Sequence, residues 1–340
     1  MRVFTPRILR PPTTIRSSLL FVHQGQRSKF SSSSLLREDP RIQELGKVIR
    51  DEFAVLREDY GISLPHFLLT WLIQCILEAP RNPIILAHGL LGFDELHLAG
   101  QSLPGIQYWR GIREALEKKN IEVITATVPA SGSIEARAAR LAETIAEKAG
   151  GKSVNIIAHS MGSVSRFQLK PENVKVLSLT TIATPHRGSA FADHVFERIG
   201  PIYTPKMYKI LESFGLETGA FSQLTRKYMA ENFNPKTPDL EGVKYYSYGA
   251  SLEPTRWSVF WLSHRIMNEI GDKPNDGLVS VPSSQWGTYK GTLIGVSHLD
   301  LINWTNRLKW LFWSLTGTKQ NFNAVAFYLD IADMLAREKL

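Results

Sequence analysis

The run Val154-Asn155-Ile156-Ile157-Ala158-His159-Ser160-Met161-Gly162 decides how the rest of the chain is read. Its first half is rich in β-branched side chains and reads as a buried strand. The strand passes without a break into a small-x-Ser-x-small pentapeptide, Ala158 to Gly162, of the nucleophile-elbow kind. Such a turn reverses a strand into a helix so sharply that its flanks must be nearly free of side chain, and Ala158 and Gly162 meet that demand. It exposes the hydroxyl of Ser160 and leaves the backbone N–H of Met161 where an oxyanion would form. Ser160 is therefore the candidate nucleophile.

Upstream, Pro83 to Ala87 reads as a second buried strand, followed by the Gly-rich turn His88-Gly89-Leu90-Leu91-Gly92. A turn in that place supplies the second oxyanion donor of serine hydrolases built on a parallel sheet, here the N–H of Leu90. The spacing predicts helices over 106–119 and 134–149 with a strand over 121–128 between them. In the second helix Ile134, Ala138, Leu141, Ile145 and Ala149 line one face, Ser133 is the expected cap, and the charges are expected opposite. The alternation of strand and helix predicts an α/β fold with a mainly parallel sheet. Gly150-Gly151-Lys152-Ser153 imitates the tail of a phosphate loop, but Ala146 stands where its first glycine belongs and the order is helix, loop, strand. No HExxH or paired CxxC spacing offers a zinc site.

Downstream come a strand over 174–182, the run Ala183-Thr184-Pro185-His186-Arg187-Gly188-Ser189, and a helical stretch over 203–234. That stretch carries Gly215, Gly219 and the aromatics Tyr203, Tyr208, Phe214 and Phe221, and reads either as a lid over an apolar cleft or as an ordinary helical hairpin. Strands are expected over 243–248, over 278–281 after the turn Asn275-Asp276-Gly277, and over 292–296, ending at His298. A serine needs an imidazole to take its proton and an acid to orient that imidazole. On a parallel-sheet hydrolase the chain order is Ser, acid, His. His186 and His194 follow Ser160 too soon, and of His264 and His298 only the latter sits just past a predicted strand. Its acid is Asp276, with Asp272 as competitor; Asp300 is excluded by order.

The net charge of +8 belongs almost wholly to residues 1–37, where Arg2, Arg7, Arg10, Arg16, Arg27, Lys29 and Arg37 meet no Asp or Glu. The remainder is nearly neutral, which removes the case for a nucleic-acid partner. Residues 1–37, Arg- and Ser-rich and acid-free, have the composition of a mitochondrial transit peptide. Between them and the sheet, residues 41–80 are expected to form helices. One is amphipathic over 41–60 (Ile42, Leu45, Ile49, Phe53, Leu56). A second over 67–77 carries a thin polar stripe of Thr70, Gln74 and Glu78, and is either buried or laid on a lipid surface. Residues 81–340 make the main domain. The single cysteine, Cys75, permits no internal disulfide.

His88 to Phe93, Gln107-Tyr108-Trp109, Ser131 to Arg137, Ala158 to Gly162, Thr184 to Ser189, Asn275 to Ser280 and His298-Leu299-Asp300 occur in this order. Together they resemble the true lipases of the α/β-hydrolase superfamily, with pseudomonad-type bacterial triacylglycerol lipases and fungal mitochondrial lipases as the nearest likeness. The resemblance, over about residues 83–305, implies a lipase acting on tri- or diacylglycerol, with a helical lid insert at about 201–236. It also implies a triad of Ser160, Asp276 and His298, with the N–H groups of Leu90 and Met161 as the oxyanion hole. No organic cofactor is implied. The bacterial members hold a calcium ion; Asp300 matches one ligand, but only Glu253 stands near the other. Ala158 replaces the family's first elbow glycine, and Ser163 a further glycine. Pro171 comes eleven residues after Ser160, shortening the helix that follows by about a turn. The same triad would serve a phospholipase, a soluble carboxylesterase, a thioesterase or an acyltransferase, and the shortened helix would suit a catalytically impaired lipid-binding member.

Overall fold

The computed structural model describes residues 48–49, 78–89, 95–96, 106–109, 111–126, 128, 133–161, 173–197, 222–303, 322 and 324–340. Strands β1 (Val48–Ile49), β2 (Ile84–Ala87), β5 (Val123–Ala126), β6 (Val154–His159), β7 (Val176–Ile182), β8 (Lys244–Ser251) and β9 (Thr288–Ile294) form one sheet. Its order is β1-β9-β8-β7-β6-β2-β5, and every neighbouring pair is parallel. A separate antiparallel pair joins β3 (Glu95–Leu96) to β4 (Ile106–Gln107).

A parallel sheet survives only with both faces covered, and the alternation of side chains along each strand divides two cores. Ile84, Leu86 and Ile157 point to one face. There they meet helix α1 (Ile112–Glu117) through Ile112 and Leu116, and a long C-terminal helix (Ala324–Arg337) through Phe327, Tyr328, Ile331 and Leu335. Ile85, Ala87, Ile156 and Ala158 point to the other face, against Leu141, Ile145 and Ala149 at helix α2 (Ile134–Lys148). Ser133 caps α2 by accepting the Ala136 N–H at 3.2 Å. A third cluster sets Met161 among Ile134, Ala138, Ala192, Leu224, Met229 and Phe233, joining α2 to helix α3 (190–197) and to the helical segment 226–236.

Four expectations need correction. Val48 and Ile49 pair with Thr292 and Leu293, so the helix expected over 41–60 is interrupted there. Two β-branched residues complete an edge that β9 would otherwise leave open; the rest of that segment and the helix over 67–77 lie outside the described residues. The helix expected from 106 begins only at Ile112, because Gly111 takes a left-handed φ of 78° as its N-cap and Ile106–Gln107 pair with β3. Residues 278–281 are not a strand: Ser280 caps the short helix Val281–Ser284, in which Pro282 sits in the first turn. The charges of α2 are not all on its solvent side, since Arg137 is fully buried.

Ile157 is buried on the strand that carries the elbow. Ile157→Ala is expected to cost about 2–5 kcal/mol through lost contacts and a cavity. The measurement is urea unfolding, where the midpoint should fall at constant slope.

Candidate active site

Of the predicted triad and oxyanion-hole residues, Ser160, Met161, Asp276 and His298 are described, and they lie at the C-terminal edge of the sheet, where parallel α/β sheets bind their ligands. Ser160 follows β6 directly. Its φ of 59° is the left-handed conformation that an L-residue adopts only when its surroundings fix it. Its backbone N–H donates to the Ile182 carbonyl at 3.0 Å, one step beyond the last paired residues of β6 and β7. Its successor Met161 is anchored in the third core cluster. On the other side β2 delivers Gly89 so close that a Cβ there would lie 2.6 Å from Ser160 Cβ and 3.1 Å from its Oγ.

The predicted acid and base lie in the segments that follow β8 and β9. His298 Nδ1 donates to Asp276 Oδ2 at 2.7 Å, and the His298 backbone N–H donates to the Asp276 carbonyl at 3.1 Å. The second carboxylate oxygen of Asp276 accepts the N–H groups of Leu278 at 3.0 Å and Val279 at 2.8 Å. Asp276 is fully buried, and these donors take the place of water around its carboxylate. The Nδ1–H bond fixes the tautomer of His298, leaving its Nε2 lone pair available. Its ring packs 4.6 Å from that of His159, the residue before Ser160. The competitor Asp272 instead accepts the Ala190 N–H at 3.4 Å. His264 lies beside Asn268, and His186 is bonded to Thr181 at 2.9 Å and stacked on Trp286.

The run Thr184 to Ser189 holds the acid's surroundings. Ser189 Oγ donates to the Leu278 carbonyl at 2.7 Å, Ser283 Oγ to the Gly188 carbonyl at 2.6 Å, and the Arg187 guanidinium to the carbonyls of Pro282 and Gln285. Three further residues, to which the sequence reading gave no role, form a polar frame beneath Ser160. Arg137 Nη2 donates to the carbonyls of His88 at 2.8 Å and Gly89 at 2.9 Å, holding the turn after β2 from below. The Gly89 N–H donates to the Tyr108 hydroxyl at 3.2 Å, which lies 2.7 Å from His159 Nδ1 and gives its own proton there. Spacing could have found Arg137: it lies one turn from both Ile134 and Leu141, on the buried side of α2.

Burial sets the charges of this frame. His88 is driven down to about 4, first by burial and then by the neighbouring Arg137 cation. Its two nitrogens agree with a neutral ring: Nδ1 lies 3.1 Å from the Gly89 carbonyl, while Nε2 accepts the Val128 N–H at 3.3 Å. His159 is held well below the usual histidine range by burial and then by His298. Arg137 is lowered by burial to about 10 and stays cationic at neutral pH.

Leu90 lies outside the described residues, as do the segment 162–172 after the elbow and the part of the expected lid insert, about 201–236, that precedes 222. The described remainder of that insert is packed into the body through Leu224, Met229 and Phe233. Asp300 Oδ2 accepts the backbone N–H and hydroxyl of Ser297, at 3.0 and 2.6 Å. Among the described residues no group of three or more His, Cys, Asp or Glu could hold a metal. Asp300 and Glu253 belong to no such group.

Two expectations follow. Gly89→Ala should leave the chain folded yet reduce ester hydrolysis at least about a hundredfold, because the added methyl displaces Ser160 by an amount that reaction geometry does not tolerate. Steady-state kinetics beside circular dichroism checks this. Secondly, the lowered His88 favours the native state only while neutral. Its contribution is complete above pH about 6.5 and is lost as pH falls toward about 4, worth roughly 3 kcal/mol in all, with His159 adding in the same direction. Urea midpoints at pH 7.5 and 5 should differ accordingly, and His88→Asn should flatten the difference.

No family model matches the chain. Individual relatives do. Triacylglycerol lipase 2 of Saccharomyces cerevisiae is 38% identical over 312 residues, spanning 77% of this chain and 93% of the yeast protein. The triacylglycerol lipase of Vibrio cholerae is 30% identical over 259 residues, 66% of this chain and 80% of that protein. Among solved structures, the lipase of Staphylococcus hyicus superposes with a TM-score of 0.56 at 21% identity, covering 76% of this chain and 97% of that one. A metagenomic carboxyl esterase gives a TM-score of 0.58 at 18% identity, covering 77% of each. The structural likenesses carry the α/β-hydrolase fold, the yeast relative carries the family, and the chain belongs to the triacylglycerol lipases, which makes it a carboxylic ester hydrolase.

Proposed function

We propose that this lipase hydrolyses the ester bonds of tri- or diacylglycerol through an acyl-enzyme on Ser160, with His298 as general base and Asp276 as its orienting acid. The buried 2.7 Å bond between His298 and Asp276, set against the strand end that carries Ser160, is the observation on which the reading rests. His298 Nε2 takes the Ser160 proton as the oxygen attacks the ester carbonyl. The N–H groups of Leu90 and Met161 receive the oxyanion. The imidazolium then protonates the departing glyceride alkoxide, and water, deprotonated by the same imidazole, releases the fatty acid. Neutral His159 beside His298 matters to this cycle, since a second cation there would oppose the protonation of His298 that both the attack of Ser160 and the attack of water require.

The reaction assigned to these residues needs no organic cofactor. The Arg- and Ser-rich, acid-free composition of residues 1–37 supports delivery to the mitochondrion. The substrate's insolubility implies work at a lipid surface, for which the segments 67–77 and 203–234 are candidates by their patterning.

The deciding experiment offers the full chain a long-chain triacylglycerol emulsion, a diacylglycerol, a phosphatidylcholine and a short soluble ester, beside Ser160→Ala. Hydrolysis of the acylglycerols that Ser160→Ala abolishes is the expected result. Activity confined to the short ester or the phospholipid would overturn the substrate, and full activity in the variant would overturn the nucleophile. Asp276→Asn, which loses the tautomer lock, should lower kcat roughly 1,000- to 10,000-fold.

A further inference from the structure

Trp257, Val259 and Leu262 are 96, 78 and 61 % exposed, the most exposed large apolar side chains among the described residues. Single exposed apolar residues are ordinary, but three within six positions call for a cause. Trp257 and Val259 stand on successive turns, closed by Ser258 N–H to the Thr255 carbonyl at 2.9 Å and Trp261 N–H to the Ser258 carbonyl at 3.0 Å, that lead into helix α4 (Trp261–Ile270), whose first turn carries Leu262.

The turns form a rigid crest fixed to the acid's loop. Between Val259 and Trp261 the intervening Phe260 turns inward, where Gly277 makes room for it: a Cβ on Gly277 would lie 2.6 Å from Phe260 Cβ. Gly277 is the neighbour of Asp276. Behind the crest the Leu252 N–H donates to the Asn275 carbonyl at 3.0 Å, and Asn275 Nδ2 donates to Asn268 of α4 at 3.1 Å. The crest therefore keeps a fixed relation to the acid.

Its charges select the partner. Across 252–273, Glu253, Glu269 and Asp272 balance Arg256, Arg265 and Lys273. Arg265 is bonded to Glu269 at 2.8 Å and lies 5.6 Å from the Trp261 ring. A crest without net charge has no coulombic pull toward a nucleic acid or an acidic protein. An indole beside a valine and a leucine, flanked by balanced charges, matches the boundary between lipid headgroups and acyl chains. We infer that the 257–262 crest is the anchor by which this lipase adsorbs to a zwitterionic or neutral lipid surface, next to the acid loop. The inference deepens the acylglycerol reading and rests on it.

The test compares the full chain with Trp257→Ser and Val259→Ser, singly and together, in flotation with phosphatidylcholine vesicles and in hydrolysis of a triacylglycerol emulsion and a short soluble ester. The double variant should partition to vesicles about ten- to a hundredfold less, the equivalent of returning one large side chain to water. Hydrolysis of the emulsion should fall with it, while the soluble ester is cleaved within about twofold of the parent rate. Raising the salt from about 0.05 to 0.5 M should leave partition nearly unchanged. Unchanged partition in the double variant overturns the anchor, as does a dimer of the parent that the substitutions dissociate without altering flotation. Flotation decides the anchor even where no acylglycerol is hydrolysed, a result that would defeat only the proposed substrate.

Discussion

The left-handed backbone of Ser160 is the constraint around which the site is arranged. An L-residue in that conformation is disfavoured by roughly 1–2 kcal/mol, and it persists only when packing over-determines it. Several features combine to hold it. Ala158 and Gly89 are small where the turn comes close to its neighbours, Ile182 accepts the serine N–H, and Met161 is locked between α2, α3 and the segment 226–236. Gly89, Ile182 and the residues that hold Met161 lie on different elements, so the elbow depends on the whole sheet edge and not on its pentapeptide alone. The methyl of Ala158 points into the second core with Ile156.

Electrostatics around the elbow follow one rule: histidines are kept neutral where they serve as structure. His88 and His159 each have a ring nitrogen placed to accept a hydrogen bond, from the Val128 N–H and from Tyr108, which a protonated ring could not do. Arg137 provides the fixed positive charge, spent on two carbonyls of the turn after β2. Against this background His298 stands apart as the imidazole bonded to a carboxylate.

Much of this was legible in the residues. The elbow, α2 with its Ser133 cap and the parallel character of the sheet follow from β-branched runs, helical spacing and one capping side chain. Asp276 and His298 followed from chain order, and the structure joins them directly. What escaped were features decided by tertiary contact. Val48–Ile49 has helical spacing but pairs with a strand far along the sequence, and Val279–Ser280 look extended until Ser280 caps the turn that Pro282 favours. Arg137 was placed outside by its charge, whereas the carbonyls of His88 and Gly89 give that charge an interior partner. The exposed crest at 257–262 could not be told from core by composition, because Phe260 and Trp257 look alike until one of them meets Gly277.

The edge pairing of β1 with β9 also governs how the protein can be made. Val48 must wait for Thr292, and Arg81 donates its N–H to the carbonyl of Leu340. Contacts so distant in sequence are slow to form, since a long loop must close before they contribute anything. On the ribosome, the apolar strands β2, β5 and β6 emerge well before the chain that completes their sheet. Until that chain is available they present bare strand edges and apolar faces, the kind of surface from which aggregation starts.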